Sequence, residues 1–194
     1  DLSPIVPNVR CDNEAGGRLA AEHLLKRGAH RPALLTSRTG IHNLREKGYR
    51  QVLQQVGIEP VVLTVDFNTP NSERPGLIRE RLDLVADDID AVFATDDLAA
   101  AQVMEWAAER DLRIPDDFKV IGFDGTIAMQ HALPALTTIQ QPIAKLARAA
   151  VDLLLNRITS STTASSDSKQ SSEPRKDPQA PSPMPVRLLP GRTA

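Results

Sequence analysis

Cysteine is nearly absent from this 194-residue chain. Cys11 stands alone, so no disulfide can form within the chain, and a reducing cytoplasm is the expected compartment. No run of 18 apolar residues occurs, so no membrane span is expected. No signal peptide opens the chain. It starts at Asp1 rather than Met, as expected of a fragment, so that absence carries little weight. An excess of positive charge is also missing. The net charge of −2 lacks the basic footprint of a chain that grips nucleic-acid phosphates itself. The common catalytic signatures are missing as well: there is no G-x-S-x-G elbow and no Walker loop. Gly16 and Gly17 follow no strand and make no G-x-G-x-x-G fingerprint. His30, His42 and His131 lack metal-ligand spacing, and His23 lies on an apolar helix face as a packed core residue would. No metal, no cofactor and no enzymatic activity are expected.

What is present is alternation. Short apolar runs at Ala33–Thr36, Val61–Val65, Ala91–Ala94 and Val120–Phe123 show no in/out pattern, as in strands buried on both faces. Helical patterns lie between them. "NEAGGRLAAEHLLKRG" starts at the capping candidates Asp12 and Asn13 and ends near Gly28. "NLREKGYRQVLQQVG" has Tyr49, Val52, Leu53 and Val56 as its inner stripe and Gly57 at its end. Further helices are expected over about 72–85 and in "DLAAAQVMEWAAERDL", where Trp106 reads as packing in the core or at a subunit contact. Such alternation predicts an α/β fold, a doubly wound parallel sheet with helices on both faces.

From residue 137 the order changes. "LTTIQQP" reads as an extended crossing segment, and "PIAKLARAAVDLLLNRI" as a helix started by Pro142, with Ile143, Leu146, Ala150 and Leu153–Leu154 on its apolar side. Over 159–185 Ser, Thr and Pro dominate and no Val, Ile, Leu or aromatic occurs, so a disordered insert is expected. "PVRLLPGRTA" regains apolar character and is expected to add one edge strand over 186–194.

In an open parallel sheet, ligands bind beyond the carboxyl ends of the strands. The four expected strands deliver Ser37 and Arg38, then Asp66 and Phe67, then Thr95, Asp96 and Asp97, and finally Asp124. Arg45 joins them from the first turn of its helix, where the helix dipole opposes a cation, so helix stability does not explain it. Carboxylates, a guanidinium fork and an aromatic face suit neutral ligands rich in hydroxyls or ring nitrogens. Structural readings stand beside these. Asp96 or Asp97 is a natural N-cap, Asp124 before Gly125 can open a turn, Phe67 can be core, and Arg45 can be a solvated helix charge.

Four segments carry a resemblance: "DNEAGGRLAAEHLLKRGAH", "REKGYRQVL", "DAVFATDDLAAAQVMEWAAERDLRIPDDFKVIGFDG" and "LPALTTIQQPIAKLARAAVDLLL", spanning about 12–157. In this order they resemble the effector-binding core of the lac repressor (LacI/GalR) family of bacterial transcription regulators. The resemblance implies a periplasmic-binding-protein-like fold of two doubly wound lobes with a cleft between them. It implies that the chain is mainly the C-terminal lobe, with a remnant of the N-terminal lobe. The expected division is 1–11 for that remnant, 12–138 for the C-terminal lobe, 139–158 for the crossover and returning helix, 159–185 for the insert and 186–194 for the final strand. A complete regulator would also carry an N-terminal helix-turn-helix, expected to be missing here, so operator DNA is a partner only of the full-length protein.

Carried over position by position, the resemblance implies that Arg45 grips ligand oxygens, Phe67 stacks on a sugar or purine, Asp124 accepts from hydroxyls or amines, and Gln141 lies at the hinge edge. Thr95 stands where the family often has Asn, which leaves the ligand class open. The implied function is effector sensing, of a sugar or nucleoside-like molecule, by a homodimeric cytoplasmic repressor. The competing readings are a solute-binding protein of a sugar ABC transporter and, third, a Mg²⁺ enzyme built on strand-end acids.

Overall fold

The computed structural model describes residues 8–38, 40–66, 68–132, 134–163 and 182–194. They form two units: residues 13–141 with 186–194, and a smaller one containing residues 8–12 and the helix that follows Pro142. The boundary at 141/142 lies three residues beyond the expected 138, and the segment 186–194 belongs with the larger unit.

In the larger unit, helix α1 (Asn13–Lys26) leads into strand β1 (Pro32–Thr36), then α2 (His42–Gln55), β2 (Val61–Thr64), α3 (Arg74–Asp83), β3 (Ala91–Ala94), α4 (Asp97–Glu109) and β4 (Lys119–Asp124). A single turn of helix, α5 (Ile127–Gln130), which the sequence pattern does not signal, precedes β5 (Thr137–Gln140). The sheet order is β2-β1-β3-β4-β5-β6, where β6 is Arg187–Leu189. The first five strands run parallel, and β6 closes the edge antiparallel to β5, pairing Ile139 with Leu188. The expected doubly wound sheet and its late edge strand are both present.

Each face of the sheet has its own core. One packs Leu35, Leu63, Val92 and Val120 against Ile78, Leu82, Val103 and Trp106 of α3 and α4. Trp106 is a core residue, tilted against Phe118 at 5.5 Å, with its indole N–H donating to Asp83 at 2.8 Å. The other face carries Phe93 and Phe123 under α1 and α2, with Tyr49 tilted on Phe93 at 5.1 Å.

On this second face α1 and α2 approach to backbone contact. A Cβ added at Gly17 would lie 2.0 Å from the Arg45 carbonyl oxygen, and one at Gly48 would lie 1.9 Å from that of Glu14. One at Gly16 would lie 2.4 Å from the Phe123 ring. The paired glycines of the two sequence motifs thus serve helix–helix contact rather than phosphate binding.

The segment after β6 enters the core. Thr193 is fully buried. Its backbone oxygen accepts from Val120 N at 2.8 Å, its hydroxyl donates to the Val120 oxygen at 2.6 Å, and the same hydroxyl accepts from Thr137 N at 2.9 Å. Composition marks this stretch only as apolar, so the role of Thr193 is not visible there. Thr193→Val keeps the shape but strands a buried donor and a buried acceptor. The expected loss is about 2–3 kcal/mol of stability, read from chemical denaturation at an unchanged m-value.

In the smaller unit, α6 (Ile143–Thr163) starts after Pro142, whose carbonyl accepts from Lys145 and Leu146. Ile143 and Leu154 of its expected apolar side are exposed, as are Val151, Leu155 and Ile158, while Leu146 and Leu153 are half-buried. The helix runs to Thr163, into the stretch where composition gave no order signal. Most of that expected insert lies outside the described residues. Met184 pairs with Cys11 in an isolated parallel bridge.

Candidate functional site

β1, β3, β4 and β5 end on one edge of the sheet. The chain winds from β1 to β2 on one side, then crosses to β3 on the other. The helices that follow β1 and β3 therefore leave on opposite faces, and a crevice opens between their first turns. Here it is a cavity of about 560 Å³, within the range of small-molecule sites.

Arg45 lies in its wall. The close α1–α2 contact places the guanidinium under α1, where Nε donates to Asn13 Oδ1 at 2.9 Å and a terminal nitrogen donates to the Thr95 carbonyl. The guanidinium carbon stands 3.5 Å from the centre of the Phe123 ring, and the residue is 1% exposed. A cation this deep is held by fixed acceptors and an aromatic face rather than by water. Phe123, read from the sequence only as a strand residue, is therefore the platform under Arg45.

Asp124 stands 3.7 Å from Arg45 and accepts from Gln141 Nε2 at 2.6 Å. Its backbone φ is +126°, a region that side-chain-bearing residues seldom enter, and Gly125 follows at +73°. Desolvation pushes its carboxyl up to about 6, against the pull of Arg45 and Gln141 in the other direction. Strain and desolvation at one side chain are costs that a mere turn residue has no reason to bear.

The other expected positions fall as follows. Gln141 lines the cavity. Thr95 is fully buried behind it and supports the wall: its carbonyl accepts from Arg45 and its hydroxyl bonds to His42 Nδ1 at 3.0 Å. Phe67 lies outside the described residues. Asp96, not Asp97, caps α4, accepting from Ala99 N at 2.6 Å.

Two residues that sequence reasoning passed over also line the cavity, His42 and Arg74. Burial, then the charge of Arg45, lower the His42 imidazole to about 4, so it is neutral at physiological pH. Arg74, at the start of α3, is 6% exposed. Its one sequence signal is the neighbouring Pro75, which marks a helix start facing the strand ends. Apolar wall comes from Ile41, Leu98 and Met129. Among the described residues no group of three or more His, Cys, Asp or Glu is placed to hold a metal ion. No helix among them is long and apolar enough to cross a membrane.

Fixed cations, a desolvated carboxylate and an apolar wall at the switch point of a doubly wound sheet are the features of a lobe that binds small polar molecules. The chain belongs to the periplasmic binding protein-like domain family, whose model matches residues 21–192. It is 32% identical to a ribose operon repressor of Halalkalibacterium halodurans over 79% of its own length and 46% of that protein's. It is 33% identical to a sucrose operon repressor of Streptococcus mutans over 81% of its own length and 48% of that protein's. The chain therefore spans about half the length of the curated relatives it matches. Among solved structures it superposes on a complex of the regulator CelR with cellobiose, with a TM-score of 0.82 at 27% identity, over 98% of this chain and 55% of that one. A LacI family regulator from Enterococcus faecium with bound ribose gives a TM-score of 0.79 at 26% identity, covering 100% of this chain and 67% of the other. These relatives are repressors and regulators of the LacI/GalR type, as the four motifs lead one to expect.

Proposed function

We propose that this chain is the effector-sensing part of a LacI/GalR-type transcription regulator, and that its effector is a small neutral polyhydroxylated molecule, a sugar. The observation that carries this reading is Asp124: a strained, desolvated carboxylate beside a buried Arg45, in the wall of an open cavity. Vicinal hydroxyls donate to a carboxylate while accepting from a guanidinium, so one polyol satisfies both groups at once. Relatives named for ribose and sucrose operons, and structures holding cellobiose and ribose, support the same class. They also favour a regulator over the transporter-type solute-binding protein of the same fold, and over an enzyme. In the whole protein, effector binding shifts a two-state balance that sets operator affinity. The regulator acts as a cytoplasmic homodimer, and its DNA contacts lie outside this chain.

Calorimetry on the whole protein with D-ribose, sucrose, cellobiose and adenosine tests the reading. A sugar is expected to bind with micromolar affinity and to change operator retention in a gel shift. Binding of adenosine with no response to any sugar would move the effector to the purine class. Sugar binding with no change at the operator would favour the solute-binding reading.

A further inference from the structure

Asp97 is 2% exposed, and its carboxylate accepts three hydrogen bonds. Oδ2 accepts from the Thr126 backbone N–H at 2.7 Å and from the Thr126 hydroxyl at 2.9 Å, and Oδ1 accepts from the Thr138 hydroxyl at 2.5 Å. All three donors are neutral. Helix capping does not explain the residue, because Asp96 already caps α4. β4 makes room for it: a Cβ at Gly122 would lie 2.5 Å from Asp97 Oδ1. Burial pushes the carboxyl above its ordinary range, while the three bonds favour the ionised form. A buried carboxylate held this way is a costly device, and its reach shows what it secures.

One side chain ties the start of α4 to β5 and to the turn that leaves β4. That turn is Asp124–Gly125–Thr126, with φ of +126° at Asp124 and +73° at Gly125. Local preference does not keep a non-glycine residue there, so its surroundings must over-determine it. Gln141 holds one side, its backbone N–H donating to the Asp124 carbonyl at 3.1 Å and its amide to the carboxylate. Asp97 holds the other side, two residues on, by both the amide and the hydroxyl of Thr126.

We propose that Asp97 is a positioning residue, whose carboxylate clamps the 124–126 turn so that Asp124 is presented to the cavity beside Arg45. The functional meaning rests on Asp124 being a ligand acceptor, but the test needs no ligand, so either idea can fail without the other.

Two substitutions separate clamping from charge. Asp97→Asn and Asp97→Ala remove the same titratable carboxyl. Asparagine can keep all three contacts, its oxygen accepting from Thr126 and its amide donating to the Thr138 hydroxyl; alanine keeps none. The readout is the titration of the Asp124 carboxyl, followed by NMR on protein labelled with ¹³C-aspartate. With the clamp gone, Asp124 relaxes toward water, and its midpoint in Asp97→Ala is expected about one pH unit or more below that in Asp97→Asn. Equal midpoints in the two variants would overturn the proposal. If Asp97→Ala does not fold, Thr138→Val serves: it is isosteric, lies outside the cavity wall and leaves the Asp97 carboxyl and its bonds to Thr126 in place. A fall of about half a pH unit in the Asp124 midpoint is then expected, and an unmoved midpoint overturns the clamp.

Discussion

An Asp124→Asn variant is expected to be more stable than the wild type at neutral pH and to lose most of its ligand affinity. The two effects share a cause. Desolvation raises the folded-state carboxyl to about 6, above the ordinary 3.8. A raised acid pKa means that the folded chain holds the proton more tightly than the unfolded chain. The stability Asp124 contributes is therefore fully present below about pH 4 and is lost as the pH rises toward 6. Asparagine does not titrate and tolerates positive φ about as well as aspartate. The stability gap between variant and wild type should thus open between about pH 4 and pH 6 and reach about 1–2 kcal/mol at pH 7. Affinity moves the other way. An amide presents one acceptor where the carboxylate presented two charged ones, which costs about 2–3 kcal/mol, or roughly 30- to 150-fold. Wild-type affinity should also fall as the pH drops below about 6, because a protonated carboxyl no longer accepts from two hydroxyls. Melting curves across pH, read beside calorimetry, check both halves. A variant destabilised at pH 7 would show that Asp124 is there for the fold.

Gly48→Ala is expected to cost about 3 kcal/mol, with Gly17→Ala close behind. These are surface-to-surface contacts between helix backbones, and the atoms that a new methyl meets are the carbonyl oxygens of Glu14 and Arg45. A side chain could rotate away, but a helix carbonyl can yield only if the whole helix moves. Because Arg45 is on α2, any outward shift of that helix draws the guanidinium away from Asn13 and the Phe123 ring. Ligand affinity should fall along with stability, although neither glycine touches the cavity. Denaturant midpoints and ligand titrations on the two variants test this. Unchanged denaturant midpoints would mean that the helices are not locked together.

Which of these features a reader of the sequence can find depends on whether the signal is local. Strands such as AVFA and VIGF declare themselves by unbroken apolarity, and strand ends are where a parallel sheet puts its ligands, so Arg45 and Asp124 stand out. Gln141 came only from the family resemblance. Burial made by distant segments leaves no such mark. Arg74 looks like any charge in a polar turn, and His42 like any stray histidine, until α3 and α2 bring them to one cavity. Thr95 was expected to face the ligand because it ends a strand. Instead it is sealed behind Arg45 and His42, since a residue just past a buried strand can turn inward as readily as outward. The pairing of Gly17 with Gly48 depends on a helix crossing that neither motif encodes alone.

The route of the chain to β6 has a consequence for synthesis. β5 ends at Gln140, but the strand that covers its edge and the threonine that bonds Val120 arrive only with residues 187–193. On a translating ribosome the sheet therefore waits for about 50 more residues, or roughly 3–10 s at common elongation rates, with one edge unpaired and the Val120 backbone without its Thr193 partner. During that interval the nascent chain offers an open β-edge to any neighbour on the same polysome.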